Sequence, residues 1–173
     1  MKKNSLKGIF ITIIAVFLIG NTTSIYSADT IEKIKITAEE VPDGFIFGQV
    51  PEYAQGLLKG NPWKFDQDAL KRFTSRIYDG ADYGNVSDIH MTIIAAKDKP
   101  TGNAIGCYII IYKNAKSAKD ELKKLGEFVR YSTDRAIVIE KNNIAVYLYA
   151  NDIKNYDHIK RLSEIIKKKL DTL

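Results

Sequence analysis

The sequence is short of the residues that build covalent and metal-held sites, with one cysteine, Cys107, and two histidines, His90 and His158. A single cysteine closes no internal disulfide, and its place inside an apolar run marks it as a buried thiol acting as a small hydrophobe. The two histidines stand far apart, without Cys-x-x-Cys or His-x-x-x-His spacing, and fall short of a zinc signature. No Gly-x-Ser-x-Gly elbow, phosphate loop, dinucleotide glycine pattern or haem-attachment motif occurs. These absences point away from an enzyme and predict no cofactor.

A one-sided charge is also missing. The formal charge is +5, but Lys2, Lys3 and Lys7 precede every acid, and without them 23 basic residues face 21 acidic ones. A balance this even offers no concentrated basic surface for a phosphate backbone, so nucleic acid is excluded as an expected partner.

The three lysines begin an export pattern. A positive stretch ending at Lys7 is followed by the uncharged core 8–20 and by the small, polar stretch 21–28, which is the order of a secretory signal peptide. The apolar core is shorter than the roughly 20 residues that a membrane span needs. Residues 1–28 are therefore predicted to be a signal peptide cut after Ala28, leaving 29–173 as a single exported domain, periplasmic or extracellular. No cysteine near the cut offers a lipid attachment point, so no membrane contact is expected after cleavage. The alternative is an uncleaved N-terminal anchor.

Within 29–173 the most strand-like stretch is 90–112. Its apolar runs, 90–96 and 104–112, are rich in β-branched and aromatic residues, and the turn-forming 97–103 between them makes a β-hairpin. A second hairpin is predicted from strands 135–140 and 143–150, reversed at Lys141-Asn142 or Asn142-Asn143. Ile34 and Ile36 alternate around Lys35 as in a short edge strand, although Ile31 fits a helical spacing equally well; 37–41 suits a helical turn stopped by Pro42, and 45–47 suits another short strand. From 48 to 63 the glycines and prolines allow mostly loop, with one helical turn around 53–58.

Three amphipathic helices complete the pattern. Asp66 caps the first, whose stripe is Ala69, Leu70, Phe73 and Ile77; Asn114 or Ser117 caps the second, with Ala118, Leu122, Leu125 and Val129. Asp157 caps the third, with Ile159, Leu162, Ile166 and Leu170, while Lys167, Lys168 and Lys169 complement its dipole. The order helix, hairpin, helix, hairpin, helix predicts an α+β fold. Its single antiparallel sheet consists of two hairpins plus edge strands, with about three helices on one face.

Two groups of residues are candidates for function. Tyr108 and Tyr112 share one strand face, as do Tyr147 and Tyr149, because side chains alternate with period two. Tyrosine offers rigid contact area with a polar tip, so these four residues, or the loop before Asp66, are the expected surface for an unidentified protein or small-molecule ligand. The loop oxygens of Asp79, Asp82, Asn85 and Asp88 are weak candidates for calcium, since their spacing does not match an EF-hand loop. They also supply the alternative of an extracytoplasmic enzyme using carboxylates in 79–90. Glu39-Glu40 and Asp120-Glu121 are expected to be solvated helix residues. A third possibility, a carrier of a small hydrophobic ligand, needs a cavity between sheet and helices.

Overall fold

The computed structural model describes residues 28–173 apart from residue 101, so the signal-peptide expectation lies outside the described residues. Four helices, α1 (Ala28–Ile34), α2 (Gln67–Ile77), α3 (Ala115–Val129) and α4 (Tyr156–Asp171), pack on one antiparallel sheet. Its seven strands are β1 (Phe45–Phe47), β2 (Leu58–Lys59), β3 (Trp63–Phe65), β4 (Val86–Ala96), β5 (Ala104–Tyr112), β6 (Ala136–Lys141) and β7 (Ile144–Ala150). The strand order is β2-β3-β4-β5-β7-β6, with β1 also paired to β4. β4 pairs with β5 along one side; on its other side, His90 and Met91 face β3 while Ile94 to Ala96 face β1. The fold is α+β, built on the two expected hairpins.

Caps and turns set the element ends. Asp66 Oδ1 accepts the Ala69 N–H at 2.9 Å to start α2, and Asn114 Oδ1 accepts the Ser117 N–H at 2.9 Å to start α3. These bonds satisfy amide donors that the first helical turn leaves without partners. Asp157 lies inside the first turn of α4 instead of capping it. Between β6 and β7 the reversal takes two residues, and Asn142 adopts φ +56°, a left-handed conformation that asparagine tolerates.

The helices cover both faces of the sheet, not one. In β7, Ala145, Tyr147 and Tyr149 point to one core with β4, β5, α2 and α3, whereas Ile144, Val146, Leu148 and Ala150 point to a second core with α1 and α4. A strand buried on both sides must be apolar on both, which is why β5 and β7 read as nearly continuous apolar runs.

The second core gains α1, so of the two spacings open for 31–36 the helical one is found and the edge strand is not. Ile31 and Ile34 are three residues apart on one helical face, and both are buried with Ile159, Leu162 and Ile166 of α4. The expected helical turn at 37–41 is a short 3-10 helix, Ala38–Glu40, in which Glu40 accepts the Thr37 N–H at 2.9 Å. The stretch expected to be mostly loop carries β2 and the start of β3; β3 pairs with β4 and β2 with β3, which extends the sheet. None of the described helices is long and apolar enough to cross a membrane.

Candidate functional site

The α2–α3 face of the sheet carries a stack of tyrosines. Tyr108 on β5 lies opposite Tyr147 on β7, with ring centroids 6.1 Å apart and planes 9° from parallel. Tyr149 completes the triangle, 6.0 Å from Tyr108 and 5.6 Å from Tyr147. Cross-strand partners stand only about 5 Å apart at Cβ, so rings on one face must stack or diverge. Gly106 opens the space that Tyr149 uses, since a Cβ there would stand 2.1 Å from Tyr149 Cε1. Phe128 of α3 meets Tyr147 edge-on at 6.3 Å and is 40% exposed, so the stack reaches the surface at the α3 side.

On the α2 side, Tyr108 forms the floor of a cleft of about 150 Å³. Phe73 and Arg76 of α2, Phe65 of β3, Met91 of β4, and Tyr53 with its loop neighbours Pro51 and Ala54 are its walls. Phe73 stands edge-on to Tyr53 at 6.0 Å and to Phe65 at 6.2 Å, and the Arg76 guanidinium lies 5.5 Å from the Phe73 ring centroid. Edge-to-face contacts between aromatic quadrupoles hold such rings in fixed relative positions. Tyr53 is 74% exposed, so it forms an accessible lip. Tyr108 of the tyrosine face and the loop before Asp66, separate in the sequence, thus line one cleft, while Tyr147 and Tyr149 stand beside it outside the lining.

The chemistry of the site is that of neutral phenols. Burial pushes the Tyr108 hydroxyl well above its ordinary range, reinforced by the neighbouring Tyr149 and Tyr53. Tyr147 is pushed up to about 12, again chiefly by burial and then by Tyr149. Tyr149 is raised by burial, although its interaction with Tyr108 acts the other way. Such groups remain neutral at physiological pH, able to donate and to accept a hydrogen bond. The cleft is about half the smallest volume usual for a drug-sized ligand, and an apolar cavity near this volume accommodates a single ring such as benzene.

Tyr112, the fourth tyrosine of the expected surface, is not part of it. It is fully buried at the other end of the sheet, with its hydroxyl 3.3 Å from that of Tyr78. Tyr78 donates to Glu121 Oε2 at 2.8 Å; Glu121 also accepts from Asn85 Nδ2 at 2.9 Å, Lys124 Nζ at 2.6 Å and the Asp82 N–H at 3.2 Å. Burial raises the Glu121 pKa, but the bonds from Lys124, Asn85, Tyr78 and Asp82 outweigh it and hold the group below the usual carboxylate range. Glu121 is thus buried rather than solvated, and it fastens the 79–85 loop to α3. Glu40 likewise is partly buried and accepts from Lys169 Nζ at 2.6 Å, whereas Glu39 and Asp120 are exposed.

The loop oxygens do not converge. Asp79 is exposed, Asp82 Oδ1 accepts the Gly84 N–H at 2.7 Å, Asn85 is engaged by Glu121 and Ser117, and Asp88 pairs with Lys64 at 3.0 Å. No group of three or more His, Cys, Asp or Glu side chains is gathered to hold a metal among the described residues. The histidines are equally scattered. His90 is partly buried beside Asp88 and Lys64, and His158 stands edge-on to Phe45 at 5.3 Å. Cys107 is buried in the other core, and burial pushes its thiol up to about 12, with Lys169 acting weakly against it.

Several functional-site candidates carried only faint sequence signals. Phe73 and Arg76 lie three apart on α2, which places them together on its surface but says nothing of Tyr53 in a distant loop. Glu121 lies three residues after Ala118 and four before Leu125, a spacing that assigns it to the buried stripe. Compared with models of known protein families, with curated proteins and with solved structures, the chain matches none.

Proposed function

We propose that this chain is an exported, non-enzymatic binding domain whose cleft between α2 and the 51–58 loop takes a single aromatic ring of a ligand or partner. The supporting observation is the convergence of Tyr108 with Tyr53, Phe73 and Arg76 around one ring-sized space, with Tyr147 and Tyr149 stacked on Tyr108 outside that lining. Stacked, neutral tyrosines supply rigid flat contact area with little side-chain entropy to lose, a property suited to binding and not to bond-making. The dispersed carboxylates of 79–90 give no comparable support to an enzyme or a calcium site.

Binding is tested at Met91, a lining residue and the only methionine besides Met1. Titration of the protein with phenol or indole is expected to shift the Met91 methyl resonance saturably, and Tyr108→Ala is expected to abolish the shift. A Met91 signal unmoved by millimolar probe overturns the proposal. Export is tested by the mass of protein recovered from its native compartment: loss of about 28 residues supports cleavage near Ala28, and an intact N-terminus on membrane-bound protein converts the segment to an anchor.

A further inference from the structure

We propose that β6 is a docking edge for an extended, acidic segment of another protein, which adds to the sheet as a further strand. This surface is separate from the tyrosine cleft and does not depend on it. β6 ends the sheet and pairs only with β7 among the described strands. Arg135 O accepts the Ala150 N–H at 2.8 Å, and Lys141 faces Ile144 across the two-residue turn. Because bonded and non-bonded pairs alternate in an antiparallel ladder, the peptide groups of 137, 139 and 141 point to β7 and those of Ala136, Val138 and Glu140 point outward. No other backbone group bonds these three among the described residues.

Protected edges are short, bulged, broken by proline or lined with inward charges. β6 is six residues long, holds an unbroken register with β7, and begins Ala-Ile-Val-Ile. Its charged residues, Glu140 and Lys141, occupy one end only.

The flanks of the edge specify what would dock. A groove of about 390 Å³ lies on the α3 side, lined by Leu122, Lys119, Lys123 and Glu140 among others. A groove of about 360 Å³ lies on the α4 side, lined by Val138, Ile139, Leu170 and Lys167 among others. Side chains of an added strand would enter these grooves alternately. In the α4-side groove, Lys167 pairs with Glu164 at 2.9 Å and Lys141 lies 3.8 Å from Asp171, which leaves its apolar residues as the main attraction. In the α3-side groove, Lys119 and Lys123 are exposed and make no ion pair among the described residues. The complementary segment therefore alternates acidic with apolar residues.

The test uses a synthetic peptide of four Glu-Val repeats, with a Lys-Val peptide as control. Expected are binding of the Glu-Val peptide alone, slower amide exchange at Ala136, Val138 and Glu140, and an affinity loss of about tenfold or more in Lys119→Glu/Lys123→Glu. Val138→Pro removes one outward N–H that the β6–β7 ladder does not use, so it is expected to keep the fold and lose the peptide. Unchanged exchange at the three amides under millimolar peptide overturns the proposal, as does equal binding of both peptides. A concentration-dependent dimer that protects the same amides without peptide assigns the edge to a second copy and also overturns it.

Discussion

Tyr149 lies over Gly106, its cross-strand partner, so closely that a Cβ at position 106 would stand 2.1 Å from Cε1 and 2.4 Å from Cζ of the ring. Gly106 does not have a positive φ, so its role is space and not backbone freedom. The glycine gives up strand propensity and the tyrosine ring covers the gap, a pairing known to protect glycine in sheets. It also sets where Tyr149 can stack on Tyr108 and Tyr147, and so ties a fold detail to the candidate site.

Gly106→Ala is therefore expected to destabilise the protein by about 1–3 kcal/mol, the usual cost of forcing extra volume into a packed position. Tyr149→Leu in the same background is expected to relieve part of that loss, giving strong non-additivity in a double-mutant cycle. Denaturant unfolding of the two single variants and the double variant checks this, and additive effects would place Tyr149 away from Gly106.

Glu121 carries a pH prediction. Its folded pKa lies below its unfolded value of about 4.3, so the carboxylate stabilises the fold fully above that pH and loses this contribution as pH falls through the folded value. Glu121→Gln is expected to cost about 2 kcal/mol at pH 7, as charged hydrogen bonds usually do, and to flatten the acid limb of the stability profile. Unfolding midpoints measured from pH 7 to pH 3 decide it: parallel profiles for parent and variant would remove Glu121 as the source of acid sensitivity.

The contrast between these two residues shows what the sequence makes legible. Local signals did well: Asp66 and Asn114 cap α2 and α3, and Asn142 turns the β6–β7 hairpin, because caps and tight turns are decided within four residues. Relations across the chain were not readable. Nothing near Tyr53 indicates that its ring meets Phe73 of α2, and the two-residue β2 and three-residue β3 are too short to show a period. The run Ile144-Ala145-Val146-Tyr147-Leu148-Tyr149-Ala150 has no charged residue at any position, which implies burial on both faces, whereas tyrosine is equally at home on a binding surface. The same ambiguity placed Tyr112 on the surface, where only the Tyr78 and Glu121 partners distinguish a buried phenol from an exposed one.

Cys107 is expected to resist a polar thiol reagent in the native protein. Its side chain is buried among Ile94, Val146 and Leu148, and its pKa is raised to about 12, so little thiolate forms at neutral pH. Labelling followed by mass spectrometry should show modification only at the rate of global unfolding. Rapid native labelling at the rate of the unfolded chain would contradict the burial.

The C-terminal helix separates buried, bridging and exposed positions within three turns. Leu162 and Ile166 are each 1% exposed against β6, β7 and α1, so Leu162→Ala and Ile166→Ala are each expected to cost about 2–5 kcal/mol. Lys168 is exposed, and Lys168→Ala should stay within about 0.5 kcal/mol, as should Lys167→Ala, whose pair with Glu164 at 2.9 Å is on the surface. Lys169 differs from both neighbours. Its ammonium donates to Lys35 O at 2.7 Å and to Glu40 at 2.6 Å, which fastens the end of α4 to the segment following α1. Lys169→Ala leaves a partly buried carboxylate and carbonyl without that donor, and should cost about 1–3 kcal/mol. Denaturant titration of the five variants should therefore place Lys169→Ala clearly below its two lysine neighbours in stability. Three equivalent lysine variants would mean that the Lys169 bridge is absent in solution and that α1 is held by its isoleucines alone.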